Sequence, residues 1–235
     1  MNYAVIKNLI TGNPIVAIKS AFKKPKKQHL PTITAKELPD FLKKLHDTNV
    51  TYITRQVIKW QLLTMTRPSE AAGAKWSEIQ WLDDGQVNWV IPAERMKKRR
   101  QHAVPLCEQA LKVLEDMKSV SDQYEHIFIS LRKPQTLCSV NYLFQSYRNQ
   151  WSKGLGETPI SRRYVSRAFA AIGEEVGIKL GTHSMRKTRG YHLYKNTNDI
   201  ARVMKMLRHS SEAVMLRYIG ITQEDVDRDF AELEL

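Results

Sequence analysis

Residues 181–220 read GTHSMRKTRGYHLYKNTNDIARVMKMLRHSSEAVMLRYIG, and the other predicted elements are organised around this stretch. Its apolar residues recur at helical intervals, which predicts three consecutive helices at about 182–195, 199–208 and 211–218. The same stretch contains four side chains that a site for cleaving phosphate esters could use, namely His183, Arg186, His209 and Tyr218. The stretch therefore predicts a helical segment that carries polar chemistry.

Cleavage of a phosphodiester without a metal requires a nucleophile, cations on the non-bridging oxygens and an acid for the leaving alkoxide. Arginine suits the second role because its planar guanidinium can bind two oxygens at once. His183 and Arg186 are three residues apart, so on a helix they share a face. However, 7 histidines and 16 arginines give about 0.5 HxxR matches by chance, so the motif alone is weak evidence. Taken singly, a capping histidine, a solvated arginine and a half-buried tyrosine are the ordinary explanations.

The composition of the chain favours an anionic partner. Its 235 residues carry a formal net charge of +13 with a pI near 9.7, so the surface attracts nucleic acid or an anionic membrane. Nucleic acid is the better match, because the sequence contains no run of about 18 apolar residues, which is the length needed to span a bilayer. Cys107 and Cys138 lack metal-ligand spacing and the N-terminus lacks a signal-peptide pattern, so we expect a cytoplasmic protein without structural zinc.

The N-terminal part is interpreted as the end of an upstream region followed by a basic linker, together residues 1–33. Four lysines cluster around Pro25, and they are either a solvated tether or a contact to a phosphate backbone. The main domain is expected at 34–220. It begins with a helix, because Thr34 and Glu37 have the spacing of a capping box and the apolar residues Leu38, Phe41, Leu42 and Leu45 follow at helical intervals.

A second helix is expected at about 51–65, and it ends at a sequence that places an arginine at a helix boundary. Pro68 suits the first position of the following helix, so Arg67 lies at its N-terminal boundary and Glu70 in its first turn. Backbone N–H groups at such a boundary already favour anions.

Short β-type runs at 78–82, 87–91 and 102–106 predict a three-stranded antiparallel sheet. A turn with Asp-Asp-Gly joins the first two strands, and the connection between the last two contains the basic run Arg95-Met96-Lys97-Lys98-Arg99-Arg100. The sheet therefore presents a cationic loop, and a helix at about 108–117 follows it.

The sequence after about residue 124 predicts secondary structure clearly in some segments and not in others. The runs at 126–130 and 142–146 are both short and apolar, and either could be a strand. A helix is expected at 162–176, and Thr197 or Asn198 can cap the helix at 199–208. A final acidic helix or tail at 221–235 carries an apolar stripe of Val226, Phe230 and Leu233, which packs either in cis or on a neighbouring protomer.

Six polar elements in order resemble the tyrosine recombinases, or phage-type integrases, over about 34–235. LLTMTRPSEAAGAKWSEI resembles the first arginine motif, with Arg67 and the nearby acid Glu70. RMKKRRQHAVPL resembles the β-hairpin lysine motif and aligns Lys97 with the catalytic lysine, with Lys98 as the alternative. GTHSMRKTRGYH resembles the HxxR motif, and LRHSSEAVMLRYIG the last motif with His209 and Tyr218. The implied fold is mainly α with a small three-stranded antiparallel β-sheet.

The resemblance implies that Tyr218 attacks the scissile phosphate and forms a 3′-phosphotyrosyl bond. Arg67 and Arg186 bind the non-bridging oxygens and His209 adds a hydrogen bond. His183 helps to move the tyrosine proton and Lys97 protonates the leaving 5′ oxygen. Glu70 orients the arginines from outside the site. The implied DNA contacts are Lys98, Arg99, Arg100 and Arg208, the last of which stands where many relatives have glycine.

The resemblance also implies partners and cofactors. Neither a metal nor ATP is required, because the phosphotyrosine conserves the bond energy. The partners are double-stranded DNA attachment sites, a homotetramer on that DNA and accessory directionality proteins. Family members carry N-terminal DNA-binding regions, so this chain is interpreted as a catalytic fragment with low and salt-dependent DNA affinity.

Two other functions are considered beside site-specific recombination. One is a non-catalytic DNA-binding module derived from such an enzyme, although a module that only binds DNA has no need of Tyr218 or His183. The other is relaxation of supercoiled DNA by type IB topoisomerase-like chemistry, which uses the same reaction without site dependence.

Overall fold

The computed structural model describes residues 2–16, 30–130, 158–181, 183–207, 211–221 and 231. Within these ranges the chain is mainly helical with one small antiparallel sheet, which confirms the predicted fold class. The described helices are α1 (Asn2–Ile6), α2 (Leu38–Asp47), α3 (Tyr52–Thr64), α4 (Pro68–Ala72), α5 (Glu108–Ser121), α6 (Arg162–Glu175), α7 (Ser184–Thr197), α8 (Ile200–Leu207) and α9 (Glu212–Ile219). The strands are β1 (Ile79–Trp81), β2 (Val87–Ile91) and β3 (His102–Pro105).

Helix α3 is the central element, since α4, α5, α6 and α7 all pack against it. The Thr51 hydroxyl caps its N-terminus by accepting a 3.2 Å hydrogen bond from the Thr54 N–H. Val57 and Trp60 are fully buried, as expected for a helix that is contacted on several sides. Met65 ends the helix in the left-handed conformation, with φ of 55°, and the chain then turns directly into Arg67.

The strands lie side by side in the order β1, β2, β3, and both neighbouring pairs are antiparallel. Trp89 of β2 lies opposite Ile79 of β1 and Val104 of β3, and its side chain is fully buried. The Trp89 ring packs on that of Trp60, with 5.1 Å between the ring centres. The buried face of the sheet therefore rests on the central helix, and the β2–β3 loop extends from that fixed platform.

Two apolar clusters stabilise the described structure. The larger one joins α2, α3, the sheet, α5 and α6, and includes the edge-to-face pair of Phe41 and Phe169 at 5.2 Å. The smaller one joins the end of α3 to α7, α8 and α9, and its buried members are Met65, Val203, Leu207, Met215, Ile219 and Ile221. Since Met65 immediately precedes Thr66 and Arg67, the first arginine motif lies where the chain crosses from one cluster to the other.

Several element ends differ from the predictions. Helix α5 continues to Ser121 rather than ending near 117. The expected capping by Thr197 or Asn198 is wrong: Asn198 closes α7 in the left-handed conformation, and the Asp199 carboxylate accepts a 2.8 Å hydrogen bond from the Arg202 N–H. Asp199 therefore stabilises the start of α8, because its carboxylate is the group that reaches the first free N–H donors.

The run at 126–130 forms two isolated bridges rather than a strand, pairing Lys75 with His126 and Ile129 with Pro159. The second run at 142–146, the lysine cluster around Pro25 and the stripe of Val226, Phe230 and Leu233 lie outside the described residues. In the described ranges, no helix is both long enough and apolar enough to cross a membrane.

Candidate active site

Arg67 lies at the boundary that the sequence predicts, one residue before Pro68 begins α4. The Glu70 carboxylate accepts a 2.8 Å hydrogen bond from the Arg67 backbone N–H and a 2.6 Å hydrogen bond from its Nη1. Glu70 is only 3% exposed, whereas the Arg67 side chain keeps 27% of its surface accessible. One carboxylate thus caps the helix and orients the guanidinium, and part of that guanidinium stays open to a ligand.

Helix α7 carries the two residues of the HxxR motif. His183 occupies the position before its first residue and remains exposed, whereas Arg186 is 8% exposed and points inward. Arg186 donates from Nη2 to the backbone carbonyl of Leu207 at 2.5 Å, which ties α7 to the end of α8. The remaining donors of a buried guanidinium need partners, and Tyr218 is near enough to act on the pKa of Arg186.

Tyr218 lies on α9, half-buried, and its hydroxyl is close enough to the Arg186 guanidinium for that cation to lower its pKa. Helix α9 reaches this position because Gly190 of α7 has no side chain. A Cβ at Gly190 would lie 2.9 Å from Leu207 Cδ1 and 3.1 Å from Ile219 Cγ2, closer than packed carbons approach. The close packing of α7, α8 and α9 therefore brings the phenol to the arginine.

Burial raises the pKa of Tyr218 above its ordinary value of 10.0, because an apolar surrounding disfavours the phenolate. The charges of Arg186 and Arg67 oppose this effect, and so does the hydrogen bond from Arg186. Burial lowers the pKa of Arg186, because it disfavours the charged guanidinium, and Tyr218 and Glu70 partly offset this lowering. An arginine nevertheless remains charged at any ordinary pH. The site thus holds a protonated phenol against fixed positive charge.

The pKa of His183 is lowered from 6.5, first by burial and then by the charges of Arg186, Arg67, Lys187 and Lys97. Each of these cations disfavours the imidazolium. A neutral imidazole near neutral pH can accept a proton, which is the form that a general base requires.

The predicted basic loop joins β2 to β3. Its tip is a turn in which the Arg99 N–H donates to the Met96 carbonyl at 2.9 Å, and Arg99 has φ of 47°. Lys97 and Lys98 lie within this turn and are exposed, as are Arg99 and Arg100. Lys97 is close enough to His183 to lower its pKa. The structure thus brings Arg67, Lys97, His183, Arg186 and Tyr218 to one region.

Two predicted residues, Arg208 and His209, lie outside the described residues. Among the residues that the structure describes, no group of three or more His, Cys, Asp or Glu side chains could hold a metal ion.

Sequence reasoning missed one residue beside the tyrosine. Lys187 is 5% exposed and its Nζ lies 5.3 Å from the centre of the Tyr218 ring. Its position directly after Arg186, on a helix whose first turns are buried, was the available signal.

Sequence reasoning also missed an ion pair beneath the basic loop. In the sequence Arg95 is only one of the cations of the basic run, but its side chain points inward and binds the buried Glu78. The signal was weak, because a polar residue at the start of a basic run looks the same whether it faces solvent or protein.

Comparison of the fold shows which class of protein this architecture defines. A crystal structure of the XerH site-specific recombinase bound to palindromic difH substrate matches 90% of this chain and 55% of that chain, with a TM-score of 0.64 and 18% identity. A lambda integrase dimer bound to a COC′ core site matches 100% of this chain and 72% of that chain, with a TM-score of 0.60 and 20% identity. The fold is that of tyrosine recombinase catalytic domains.

Sequence comparison gives the family. The model of the phage integrase family matches residues 31–224, and the chain belongs to that family. It is 39% identical over 175 residues to prophage integrase IntA of Escherichia coli K12, covering 74% of this chain and 41% of that protein. It is 33% identical over 140 residues to the integrase of Enterobacteria phage P4, covering 54% of this chain and 31% of that protein. The chain thus spans less than half the length of these two relatives.

Proposed function

We propose that this chain is the catalytic domain of a site-specific DNA integrase that cuts and rejoins DNA through a phosphotyrosyl bond at Tyr218. The observation that carries the proposal is the position of the Tyr218 hydroxyl beside the buried Arg186 guanidinium and within the field of Arg67, so that both arginines lower its pKa. A phosphodiester would use both parts of this arrangement, because its phosphorus accepts a nucleophile while its non-bridging oxygens bind cations. The net charge of +13 supports DNA as the source of that phosphodiester.

In the proposed cleavage step the Tyr218 oxygen attacks phosphorus and the bond from phosphorus to the 5′ oxygen breaks. The phenol proton passes to neutral His183, and Lys97 donates a proton to the leaving 5′ oxygen. The products are a 3′-phosphotyrosyl bond and a free 5′-hydroxyl. A 5′-hydroxyl from the recombining strand then attacks the phosphotyrosine, so the step needs neither ATP nor a metal.

Arg67 and Arg186 brace the non-bridging oxygens, and their geometry supports this role. Glu70 binds both the backbone N–H and the guanidinium of Arg67, and the Leu207 carbonyl binds the guanidinium of Arg186, so each guanidinium is already held at one nitrogen when DNA arrives. Preorganised cations of this kind stabilise charge that develops in the transition state without reorganising. The role of His209 as a further hydrogen-bond donor rests on the family resemblance.

Lys97 is preferred to Lys98 as the acid. Both are exposed at the loop tip, but only the charge of Lys97 is among those that lower the pKa of His183. A positioned general acid contributes roughly 10² to 10⁴ in rate. Lys98, Arg99 and Arg100 would then bind the DNA backbone beside the cleaved phosphate. The role of Arg208 as a further DNA contact rests on the family resemblance.

The proposed partners are double-stranded attachment sites, paired by four protomers through a Holliday junction, together with accessory directionality proteins. The XerH structure contains a difH DNA substrate, and lambda integrase is seen as a dimer on a core site and, in another structure, as a tetramer on a Holliday junction. We propose that residues 34–220 form the catalytic domain, that 1–33 connect it to an upstream region, and that 221–235 contact a neighbouring protomer or pack in cis. The protein would act in the cytoplasm, at the nucleoid.

Covalent trapping from a random-sequence pool tests this function without knowledge of the target. Each duplex carries a nick beside a randomised segment, so cleavage releases a short fragment that bears the 5′-hydroxyl. Without that hydroxyl the strand cannot be rejoined, and the cleaved duplex stays attached to the protein. We expect a denaturant-resistant adduct that forms in EDTA without ATP, on Tyr218, and recovered duplexes that share a sequence. Tyr218→Phe is the matched control, because it removes one oxygen and keeps the ring.

Each outcome has one meaning. An adduct that persists in Tyr218→Phe excludes Tyr218 as the nucleophile. Binding without an adduct supports a DNA-binding module instead, and trapping with no shared sequence together with plasmid relaxation supports topoisomerase-like chemistry.

A further inference from the structure

Arg95, at the base of the β2–β3 loop, joins three parts of the structure through one guanidinium. Its Nη1 donates to the Glu78 carboxylate and its Nη2 donates to the backbone carbonyl of Glu70 at 2.8 Å. The Arg95 side chain is 19% exposed and that of Glu78 is 6% exposed. This pair is therefore shielded from solvent, unlike the other cations of the loop, which are exposed.

Glu78 is the fixed end of this contact. Its Oε2 accepts a 2.9 Å hydrogen bond from the Trp89 indole N–H and a 3.2 Å hydrogen bond from the Lys75 backbone N–H. Trp89 is fully buried in the middle strand of the sheet. A carboxylate bound by two such groups has one position, so the guanidinium that binds it is also fixed.

The guanidinium lies close against the end of α4, at Gly73. A Cβ at residue 73 would lie 2.9 Å from Arg95 Nη2 and 3.3 Å from the Ser69 carbonyl. The side chain cannot simply move aside, because the hydrogen bonds to Glu78 and Glu70 hold both of its terminal nitrogens. Because glycine has no Cβ, Gly73 leaves room for the Arg95 guanidinium.

The contact between Arg95 and Glu70 lies between two cations of the proposed mechanism, Arg67 and Lys97. Glu70 offers its backbone carbonyl to Arg95 and its carboxylate to Arg67. Arg95 precedes Lys97 by two residues, and the intervening Met96 is 5% exposed and packs in the larger apolar cluster. A short buried path thus connects Arg67 to the loop that carries Lys97.

We infer that Arg95 is a positioning residue that holds the β2–β3 loop against α4, so that Lys97 reaches the leaving oxygen beside Arg67. The inference rests on the proposed function, and it adds a residue that does not touch DNA. The general acid works only within hydrogen-bond reach of the atom that it protonates, and a displacement of about 1 Å can cost about 10²-fold in rate. Arg95 limits that displacement.

The leaving-group dependence of cleavage separates this role from a general loss of stability. In a 5′-bridging phosphorothiolate the leaving group is a thiol, whose pKa of about 8.5 is low enough that it departs without a proton. We expect Arg95→Lys and Gly73→Ala to slow single-turnover cleavage of ordinary DNA by about 10- to 100-fold, and of phosphorothiolate DNA by less than about threefold. Lys97→Ala should show the same selectivity, whereas Arg67→Ala should slow both substrates.

Arg55→Lys is the matched control. Arg55 is another partly buried structural arginine, and it donates to the carbonyls of Leu45 at 3.0 Å and Thr48 at 3.3 Å, away from the loop. The same substitution there should affect both substrates equally. If Arg95→Lys also slows both equally, or slows neither, the positioning role is wrong even though wild-type cleavage supports the proposed function.

A second readout does not require activity. Trypsin cleaves after Lys97, Lys98, Arg99 and Arg100, and mass spectrometry identifies those cuts. We expect Arg95→Lys and Gly73→Ala to raise the cleavage rate at these four sites several-fold, with no change in Arg55→Lys. An unchanged rate would show that Arg95 does not hold the loop, whether or not the wild-type protein cleaves DNA.

Discussion

The ammonium group of Lys187 lies 5.3 Å from the centre of the Tyr218 ring, and it also donates a 2.8 Å hydrogen bond to the backbone carbonyl of Leu30. The segment that contains Leu30 is bound to the same helix at two more points. The Ile33 N–H donates to the Thr188 hydroxyl at 3.0 Å, and His192 is hydrogen-bonded to the Ile33 carbonyl at 3.1 Å. Lys187 therefore connects the proposed nucleophile to the chain that enters the domain.

Replacing Lys187 by methionine should slow adduct formation while DNA binding stays unchanged. The substitution keeps a long side chain but removes the cation, whose interaction with an aromatic ring is worth about 0.5–2 kcal/mol, or about 2- to 30-fold in rate. Single-turnover trapping measures the effect, and Lys187→Arg should restore much of the rate. Lys179→Met, at an exposed lysine, is the control. A loss confined to DNA affinity would contradict this role.

The pH dependence of cleavage should reveal the role of His183. Because the pKa of His183 is lowered from 6.5, more than half of the imidazole is still neutral at pH 6.5, so most of the loss of wild-type rate should occur below that pH. In His183→Ala the phenol must lose its proton to solvent. Since burial raises the pKa of Tyr218, the phenolate fraction then rises about tenfold per unit between about pH 7 and 9.

Single-turnover trapping rates across this pH range measure both profiles. The wild-type protein should show a plateau above about pH 6.5, and His183→Ala should show a rising line. Parallel profiles for the two proteins would exclude His183 as the proton acceptor.

Glu70→Gln should lower both stability and activity. The amide keeps one acceptor oxygen but faces Arg67 with N–H donors, so one of the two hydrogen bonds from Arg67 is lost. A hydrogen bond to a charged group is worth about 1.5–3 kcal/mol, and urea unfolding should show a loss of about that size. Glu94→Gln, an exposed glutamate on the β2–β3 loop, should leave the free energy of unfolding unchanged. Equal unfolding free energies for Glu70→Gln and the wild type would mean that these bonds contribute no net stability.

The exposed loop cations should determine how DNA binding depends on salt. Lys98→Ala and Arg99→Ala each remove one proposed phosphate contact, so each should reduce the slope of log K against log salt concentration by about 0.9. The loss of affinity should be similar for unrelated DNA sequences, because phosphate contacts carry no sequence information. Weaker binding with an unchanged slope would show that these side chains do not contact phosphates.

Much of the fold could be predicted because its signals are local. Thr51 caps α3, Pro68 begins α4 and Gly85 turns between β1 and β2 with φ of 80°, and each of these residues acts on its immediate neighbours. Arg67 was placed correctly at its helix boundary for the same reason. The ends of elements were less accurate, since α5 gains a further turn from buried residues such as Ser121, whose hydroxyl bonds to the Ile127 carbonyl.

The segment beyond α5 could not be interpreted because its pairing is not local. His126 bridges to Lys75 and Ile129 bridges to Pro159, and each of these contacts joins residues that are distant in the chain. Short apolar runs look alike until such partners are known.

The amino-acid pattern was sufficient for the order and type of helices α2 to α9 and of the three strands, because turns, caps and periodicity depend on neighbours in the chain. It was also sufficient for the basic loop and the polar motifs, but it did not predict α1. Only the tertiary structure decided where the buried charged side chains point and which groups bind them. Arg95 belongs to the basic run in the sequence, and only the fold places Glu78 and the Glu70 carbonyl where they bind it. The motifs assign no role to Lys187, whose partner Leu30 lies at the other end of the described domain. A buried charge needs partners, and only the packing of distant elements supplies them.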